Sequence, residues 1–401
     1  MSFSPEITGS ARLNSELVFW LSDNGHKVDV IAPHPFYPEW KKKAEYKGKG
    51  WFSELIGRIR ICRCPIFIPK KVTTITRILA EVSFVLSSLV FFIKLLFVKY
   101  DVVISVCPPL QLGILSILFA KLKKTTSVFF IHDLQVDAAA ELGMIKNRIA
   151  VRMLFGIERL ILQNTDMVVS LSDGMKAKIN NKNCQIKELY VLNLWTDTKA
   201  IKPLTKEESF KSEWGLTKDN FVVLYAGNIG EKQGLEVVID AAEHLKDEEN
   251  IKIIICGNGA NAKALQSYAL ERSVRNVYFK NLVPHSEISH LLATADLHLI
   301  PQKRAAADLL LPSKFTDILA SGGVAIIGCE QNTTLFDITV TNSVGFVVEP
   351  ENSTALAKKI VELRNMDTSN ISKNARVYAK LHLDKERNFT QFEEKLKQII
   401  K

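Results

Sequence analysis

The stretch Val222–Ala242, VVLYAGNIGEKQGLEVVIDAA, decides the fold. A β-branched apolar run ends at Ala226, a helical pattern begins near Gly234, and Gly227, Gly230 and Gly234 fill the turn between them. Glycines at a strand-to-helix turn let backbone amides approach a phosphate, and the N-terminus of the helix adds positive potential. Lys232 supplies a mobile cation in the same loop. The spacing does not match G-x-G-x-x-G, because the third glycine comes too late for a dinucleotide fingerprint. Alone, the loop also fits a tight turn carrying a surface lysine.

A second stretch, PQKRAAADLLLPSKFTDILASGG (301–323), strengthens the phosphate reading. Ser313 is placed to cap a helix after Pro312, with its free amides aimed at an anion, and Lys314 adds charge there. Asp317, about one turn further on, has the two acceptor oxygens that a ribose diol needs. Asp308 precedes the turn, placed to accept hydrogen bonds from sugar hydroxyls. The alternatives are a plain N-cap for Ser313 and a solvated helix acid for Asp317.

Outward from these stretches the segment rhythm is strand, then helix, repeated. In the first half the expected strands are Lys27–Ala32, Val102–Val106, Ser127–Ile131 and Met167–Leu171, with a helix over Leu13–Asn24 closed by Gly25. The grammar restarts after Asn193 with Val222–Ala226, Ile251–Cys256, Val277–Phe279, Leu297–Ile300 and Val324–Ile327. Alternation of this kind predicts an α/β protein with two doubly wound parallel-sheet domains, residues 1–197 and 198–384, with the linker near 195–205. The amphipathic last helix, residues 385–401, is expected to pack back on the first domain. Ligands bind at the carboxyl ends of such strands, so a strand should precede the glycine turn at Gly9. The turn starts at residue 3, so the first strand is expected to be missing, with the true start upstream or the chain truncated.

Composition narrows the class. The chain has 401 residues and is 47% hydrophobic and 24% charged, which excludes collagenous and disordered chains. Six cysteines without a paired spacing suggest reduced thiols in a cytosolic compartment. The net charge of +9 is lopsided: residues 1–200 hold 27 Lys and Arg against 17 Asp and Glu, and the remainder is near neutral. The first half therefore suits an anionic surface. No nucleic-acid motif or aromatic stacking platform accompanies the basic residues, so nucleic acid is not expected as a partner. No signal peptide opens the chain. Ile78–Val98 is long and apolar enough to span a bilayer but includes Glu81 and Lys94. With ten basic residues upstream, from Lys41 to Lys71, it reads as a monotopic contact with an anionic membrane.

The YAGNIGEKQGLE loop, the PSKFTDILASGG helix and the two Rossmann-like units resemble the GT-B glycosyltransferases of family 4. Within them they are similar to the colanic-acid and O-antigen type, which transfers a sugar from a nucleotide donor to a lipid-linked oligosaccharide. FSPEITGSARLNSELVFWLSDNGHKVDVIAPHPFYPEW, PPLQLGILSILFAK and HDLQVDAAAELGM extend the likeness nearly end to end. The resemblance implies two domains facing a cleft, an acceptor-binding first domain and a donor-binding second. It gives the ribose-holding acid to Asp317, an Asp where Glu is usual. The sugar-binding acid falls on Leu309 by strict spacing, with Asp308 one residue off. The usual diphosphate-binding Arg and Lys are replaced, Asn228 standing at the first place and Lys232 one residue early, with Lys314 as a further substitute. Gly9 corresponds to the turn beneath the diphosphate, and Gly227, Gly230, Leu311 and Ser313 complete the donor set.

His132, at the end of the strand Ser127–Ile131, matches a histidine on the acceptor face of similar enzymes, and Asp133 would orient it or hold an acceptor hydroxyl. A satisfied interior histidine is the alternative. His132, Asp133 and Lys232 form the expected catalytic set. No D-x-D tripeptide occurs, so no metal and no cofactor is expected. The implied reaction is retaining transfer from a UDP- or GDP-linked sugar, of L-fucosamine or fucose type, to a polyprenyl-diphosphate-linked glycan. It would run on the cytoplasmic face of the inner membrane in the synthesis of O-antigen, capsule or exopolysaccharide. A nucleotide-sugar epimerase and a non-catalytic assembly partner are the competing readings.

Overall fold

The computed structural model describes residues 2–400 apart from 7–8, 38, 142–144, 146 and 305–311. The chain divides into two compact units, Met1–Leu192 with Phe389–Lys401, and Asn193–Asn388.

The first unit opens with α1 (Gly9–Asp23), which buries Ala11, Leu17, Trp20 and Leu21. Gly25, at φ 91°, ends it, and the His26 amide returns to the Leu21 carbonyl at 3.1 Å. That closure satisfies a carbonyl the helix leaves open. There follow β1 (Asp29–Pro33), β2 (Phe52–Ile56), β3 (Ile59–Cys64), α2 (Thr74–Leu95), β4 (Val102–Cys107), α3 (Leu112–Lys123) and β5 (Thr126–Ile131). The unit continues with α4 (Gln135–Glu141), α5 (Arg148–Asn164), β6 (Met167–Ser170), α6 (Asp173–Asn180) and β7 (Leu189–Val191). The strands form two sheets, ordered β1-β3-β2 and β4-β5-β6-β7.

No strand precedes α1 among the described residues, and within that set β1 and β4 each keep an edge that pairs with no strand. A doubly wound unit places its first strand between such a pair. The antiparallel hairpin β2–β3 departs from the expected purely parallel pairing. Its turn, Gly57-Arg58, has Gly57 at φ 59°, a conformation that favours glycine and lets two short strands fold back. The hairpin also removes two cations from the basic segment. Arg63 is buried and bonds Glu54 at 2.6 Å, and Arg60 bonds Asp29 at 2.8 Å.

Helix α2 packs Ala80, Phe84, Ser88, Phe91 and Leu95 into the first unit. Its opposite face leaves Ile75, Leu79, Leu86 and Ile93 exposed, at 71%, 51%, 61% and 57%. The helix is long and apolar enough to cross a membrane.

In the second unit the chain runs through β8 (Phe221–Ala226), α7 (Glu236–His244), β9 (Ile251–Cys256), α8 (Ala262–Glu271), β10 (Val277–Lys280), α9 (Ile288–Thr294) and β11 (Leu297–Ile300). It continues through α10 (Ser313–Ala320), β12 (Ala325–Gly328), α11 (Thr334–Thr341), β13 (Phe346–Val348), α12 (Ser353–Arg364) and α13 (Ser369–Tyr378). All six strands are parallel in the order β10-β9-β8-β11-β12-β13. Strand β8 is a continuous apolar run, and β9 and β11 are apolar but for Lys252 and His298, as strands covered on both faces tend to be. The winding reverses between β8 and β11, so the crevice for a ligand lies beyond Ala226 and Ile300.

The last helix, α14 (Lys385–Ile399), starts in the second unit and contributes its residues from Phe389 onward to the first. There Phe389 meets Trp20 edge-on at 5.6 Å, and the Thr126 hydroxyl donates to the Ile399 carbonyl at 3.1 Å.

Candidate functional site

The two loops singled out in the sequence leave the carboxyl ends of β8 and β11, the two strands at the point of reversal in the second unit. Gly227 has φ 139°, and a Cβ there would lie 3.3 Å from the Lys314 ammonium. Glycine at this position therefore lets the lysine of α10 approach the β8 loop. The Lys314 ammonium sits 3.7 Å from the centroid of the Tyr225 ring, an attractive cation–π placement. Burial alone lowers the pKa of this amine to about 7. The Tyr225 hydroxyl, itself pushed up by burial, donates to the Asn228 carbonyl at 2.5 Å and fixes the loop.

Helix α10 begins with Pro312 at its cap position and no side-chain cap bond. This corrects the expectation for Ser313: it is the first helical residue, not the cap, because proline is held at φ −64° and starts the helix itself. Among the described residues no side chain caps this first turn; the Phe315 amide returns to the Pro312 carbonyl at 2.9 Å, and the helix N-terminus adds positive potential there. Gly230 caps a short 3-10 turn over Glu231–Gln233, with its amide donating to Gln233 at 3.2 Å. Asn228 is exposed in this loop. The side chain of Lys232 lies outside the described residues, as do Asp308, Leu309 and Leu311.

Asp317 is 8% exposed, and its carboxylate accepts from the Thr196 hydroxyl at 2.6 Å. The helix that brings Lys314 to Gly227 therefore gives this acid a partner inside the second unit.

Sequence reading missed two parts of this region. Gly257 and Gly259, in the loop after β9, press against the β8 loop so closely that a Cβ would lie 1.9 Å from the Gly227 carbonyl and 2.2 Å from that of Ile229. Their signal was the GNG triplet directly after a strand, the same pattern that marked Gly227. Lys303 packs its side chain against Gly234, where a Cβ would meet it at 3.0 Å. The adjacent Arg304 is consumed by Glu349 and by Glu330 at 2.9 Å.

In the first unit, His132 follows β5 and is 3% exposed. Neither ring nitrogen has a hydrogen-bond partner among the described residues, and the ring lies edge-on to Phe130 at 4.5 Å. Burial drives its pKa down to about 3, so the ring is neutral at physiological pH. The expectation that Asp133 orients the ring is corrected by these nitrogens, neither of which bonds it; the Asp133 main-chain carbonyl accepts from the Gln135 amide at 2.9 Å. Gly9 opens α1 at φ 22° with no atom near its Cβ position, while Glu6, not singled out before, holds the Phe36 and Tyr37 amides at 2.8 Å each. Among the described residues no group of three His, Cys, Asp or Glu side chains is arranged to hold a metal, and all six cysteines are free.

Residues 206–381 match the family described as glycosyl transferases group 1. The chain is 35% identical over 398 residues to the putative colanic acid biosynthesis glycosyl transferase WcaI of Escherichia coli K12, covering 98% of this chain and 97% of that protein. Among solved structures, the sucrose-phosphate synthase of Thermosynechococcus elongatus superposes with a TM-score of 0.77 at 16% identity, over 98% of this chain and 94% of that one. Anabaena HepE in complex with UDP and glucose gives a TM-score of 0.64 at 15% identity, over 84% and 86%.

Proposed function

The chain belongs to the group 1 glycosyltransferases, with two Rossmann-like units of the GT-B fold, and we propose that it transfers a sugar from a nucleoside-diphosphate donor to a lipid-linked glycan. One observation carries the donor half: both phosphate-type loops leave the strands at the reversal point, with an amine of α10 against the glycine of β8. A desolvated ammonium without a charge partner among the described residues, at the N-terminus of a helix, is an electrostatic sink for a departing diphosphate. Such groups are aimed where charge develops, and each contributes about 3 kcal/mol to transition-state stabilisation.

The reaction proceeds with retention and without a metal. The bond from the anomeric carbon to the diphosphate oxygen breaks, the acceptor oxygen bonds the anomeric carbon on the same face, and the acceptor proton passes to the departing diphosphate. Lys314 and the α10 amides hold that leaving group, joined by Lys232 and Lys303 from the two loops. Asp317 takes the ribose, and the neutral His132 hydrogen-bonds a sugar or acceptor hydroxyl. The relative named for colanic acid synthesis favours a surface polysaccharide as the product. HepE, solved with UDP and glucose, favours a uridine diphosphate donor.

The acceptor half rests on α2. Its inner face is committed to the core of the first unit, so the outer apolar face lies along a membrane surface instead of crossing it. On this reading the enzyme works at the cytoplasmic face of the inner membrane, where polyprenyl-diphosphate glycans are presented.

Incubation with UDP- and GDP-sugars, lipid extract of the host and a metal chelator tests the reading. Transfer to lipid with the donor anomer preserved is the expected result. Release of a free epimerised sugar, or strict metal dependence, would overturn it.

A further inference from the structure

The outer face of α5 carries three arginines and three large apolar side chains. Ile161, Leu162 and Glu158 turn inward, and Arg148, Ile149, Arg152, Met153, Arg159 and Leu160 turn outward. Ile149, Met153 and Leu160 are 71%, 64% and 52% exposed. The one acid of the helix, Glu158, faces inward and bonds Lys182 at 2.7 Å, and Lys182 also takes the neighbouring Asp137 at 2.6 Å. A depression of about 490 Å³ beside the helix is lined by the three arginines with Val151, Phe155, Ala140 and Ile145, and among the described residues by no carboxylate. A helix facing water ordinarily mixes both signs of charge and hides its isoleucines. This one alternates guanidinium with hydrocarbon.

The face is continuous with the apolar side of α2. The sheet β4-β5-β6 advances in one direction, and right-handed crossovers put α3 and α5 on the same face of it. Gly113 of α3 fits against Ile161 of α5 so closely that a Cβ would lie 2.5 Å from it, and Phe119 of α3 meets Phe92 of α2 at 5.5 Å. Between them α3 exposes Leu118, Leu122 and Lys121.

We infer that α5 is a second membrane foot, whose arginines grip the phosphates of anionic phospholipids while Ile149, Met153 and Leu160 enter the acyl boundary. The inference rests on the membrane reading of α2 and adds a division of labour: α2 supplies apolar anchoring, and α5 supplies selection for anionic lipid. Arginine suits this role because its planar fork binds phosphate through two parallel hydrogen bonds. Each basic residue near an anionic surface strengthens partitioning roughly fivefold, so three together are worth on the order of 100-fold.

Co-sedimentation of the full chain with phosphatidylcholine vesicles, and with vesicles also containing phosphatidylglycerol, tests it. The variant Arg148→Gln/Arg152→Gln/Arg159→Gln is expected to bind neutral vesicles like the parent and to lose roughly 100-fold on anionic ones. Ile149→Ser/Met153→Ser/Leu160→Ser is expected to weaken both. Unchanged thermal midpoints show that both variants are folded. Parental affinity of the arginine variant for anionic vesicles overturns the inference and leaves the α2 reading standing. Failure of the parent to bind either vesicle overturns both. A drop in native mass on replacing the arginines would make the face a contact between copies of this chain, and the inference would fall.

Discussion

Lys182 in the first unit and Lys314 in the second each lie over an aromatic ring, in opposite surroundings. Lys182 sits 5.0 Å from the Phe155 ring and bonds both Asp137 and Glu158. Lys314 sits 3.7 Å from the Tyr225 ring, and no charge among the described residues opposes the burial that lowers its pKa. The first is a finished ion triad, whose acids are neutralised in the resting protein. On the proposed reading the second is half of an interaction whose other half arrives with the donor. An uncompensated amine at the mouth of a parallel sheet is tolerable only if the charge it meets during the reaction repays its desolvation.

The largest effect should come from breaking the finished triad. Lys182→Met strands two carboxylates, one of them in Glu158 and fully buried, and should lower stability by about 3–5 kcal/mol in chemical denaturation. Nucleoside diphosphate affinity should be unchanged in the protein that remains folded. Lys314→Met reverses the pattern: turnover should fall roughly 100-fold, about 3 kcal/mol, with the thermal midpoint unchanged or raised. Steady-state kinetics beside differential scanning fluorimetry separates the two outcomes.

The pH dependence sharpens the contrast. The Lys314 amine has a pKa of about 7 in the free protein, and an adjacent diphosphate favours its charged form and raises that value. Binding between those two values takes up a proton. Affinity is therefore full below pH 7 and falls as the pH rises above it, by at most tenfold per unit. Titration of UDP or GDP across this range checks the slope, which Lys314→Met should flatten. The smallest effect belongs to Asp317: Thr196→Val removes its hydroxyl donor and should cost about 1 kcal/mol in denaturant midpoint.

The parts of the molecule legible in the sequence were those whose physics is local. The glycines at 227 and 234 announce a strand-to-helix turn because both take positive φ, which favours a backbone without Cβ, and β8, β9 and β11 fall where their apolar runs predicted. Gly257 carried the same local signal but takes its meaning from the Gly227 carbonyl, a contact that no spacing within the loop reveals. Short β7 and β13, of three residues each, are strands because a neighbour offers a ladder, not because their sequences insist on it. The distinction between Lys182 and Lys314 was likewise invisible: each is a lysine near a helix, and only the fold brings Asp137 and Glu158 to the first. Ser313 shows the opposite failure, since the proline before it does by conformation what the serine was expected to do by hydrogen bonding.

The central claim is that Lys314 takes its missing anion from the donor diphosphate. Calorimetric titration of UDP and GDP into the full chain, at a pH above 7 in two buffers of different ionisation enthalpy, tests it most directly. The account predicts that the better ligand binds with net proton uptake, and that Lys314→Met abolishes the uptake and weakens binding. Tight binding with no proton exchange, equal in the parent and the variant, would contradict it.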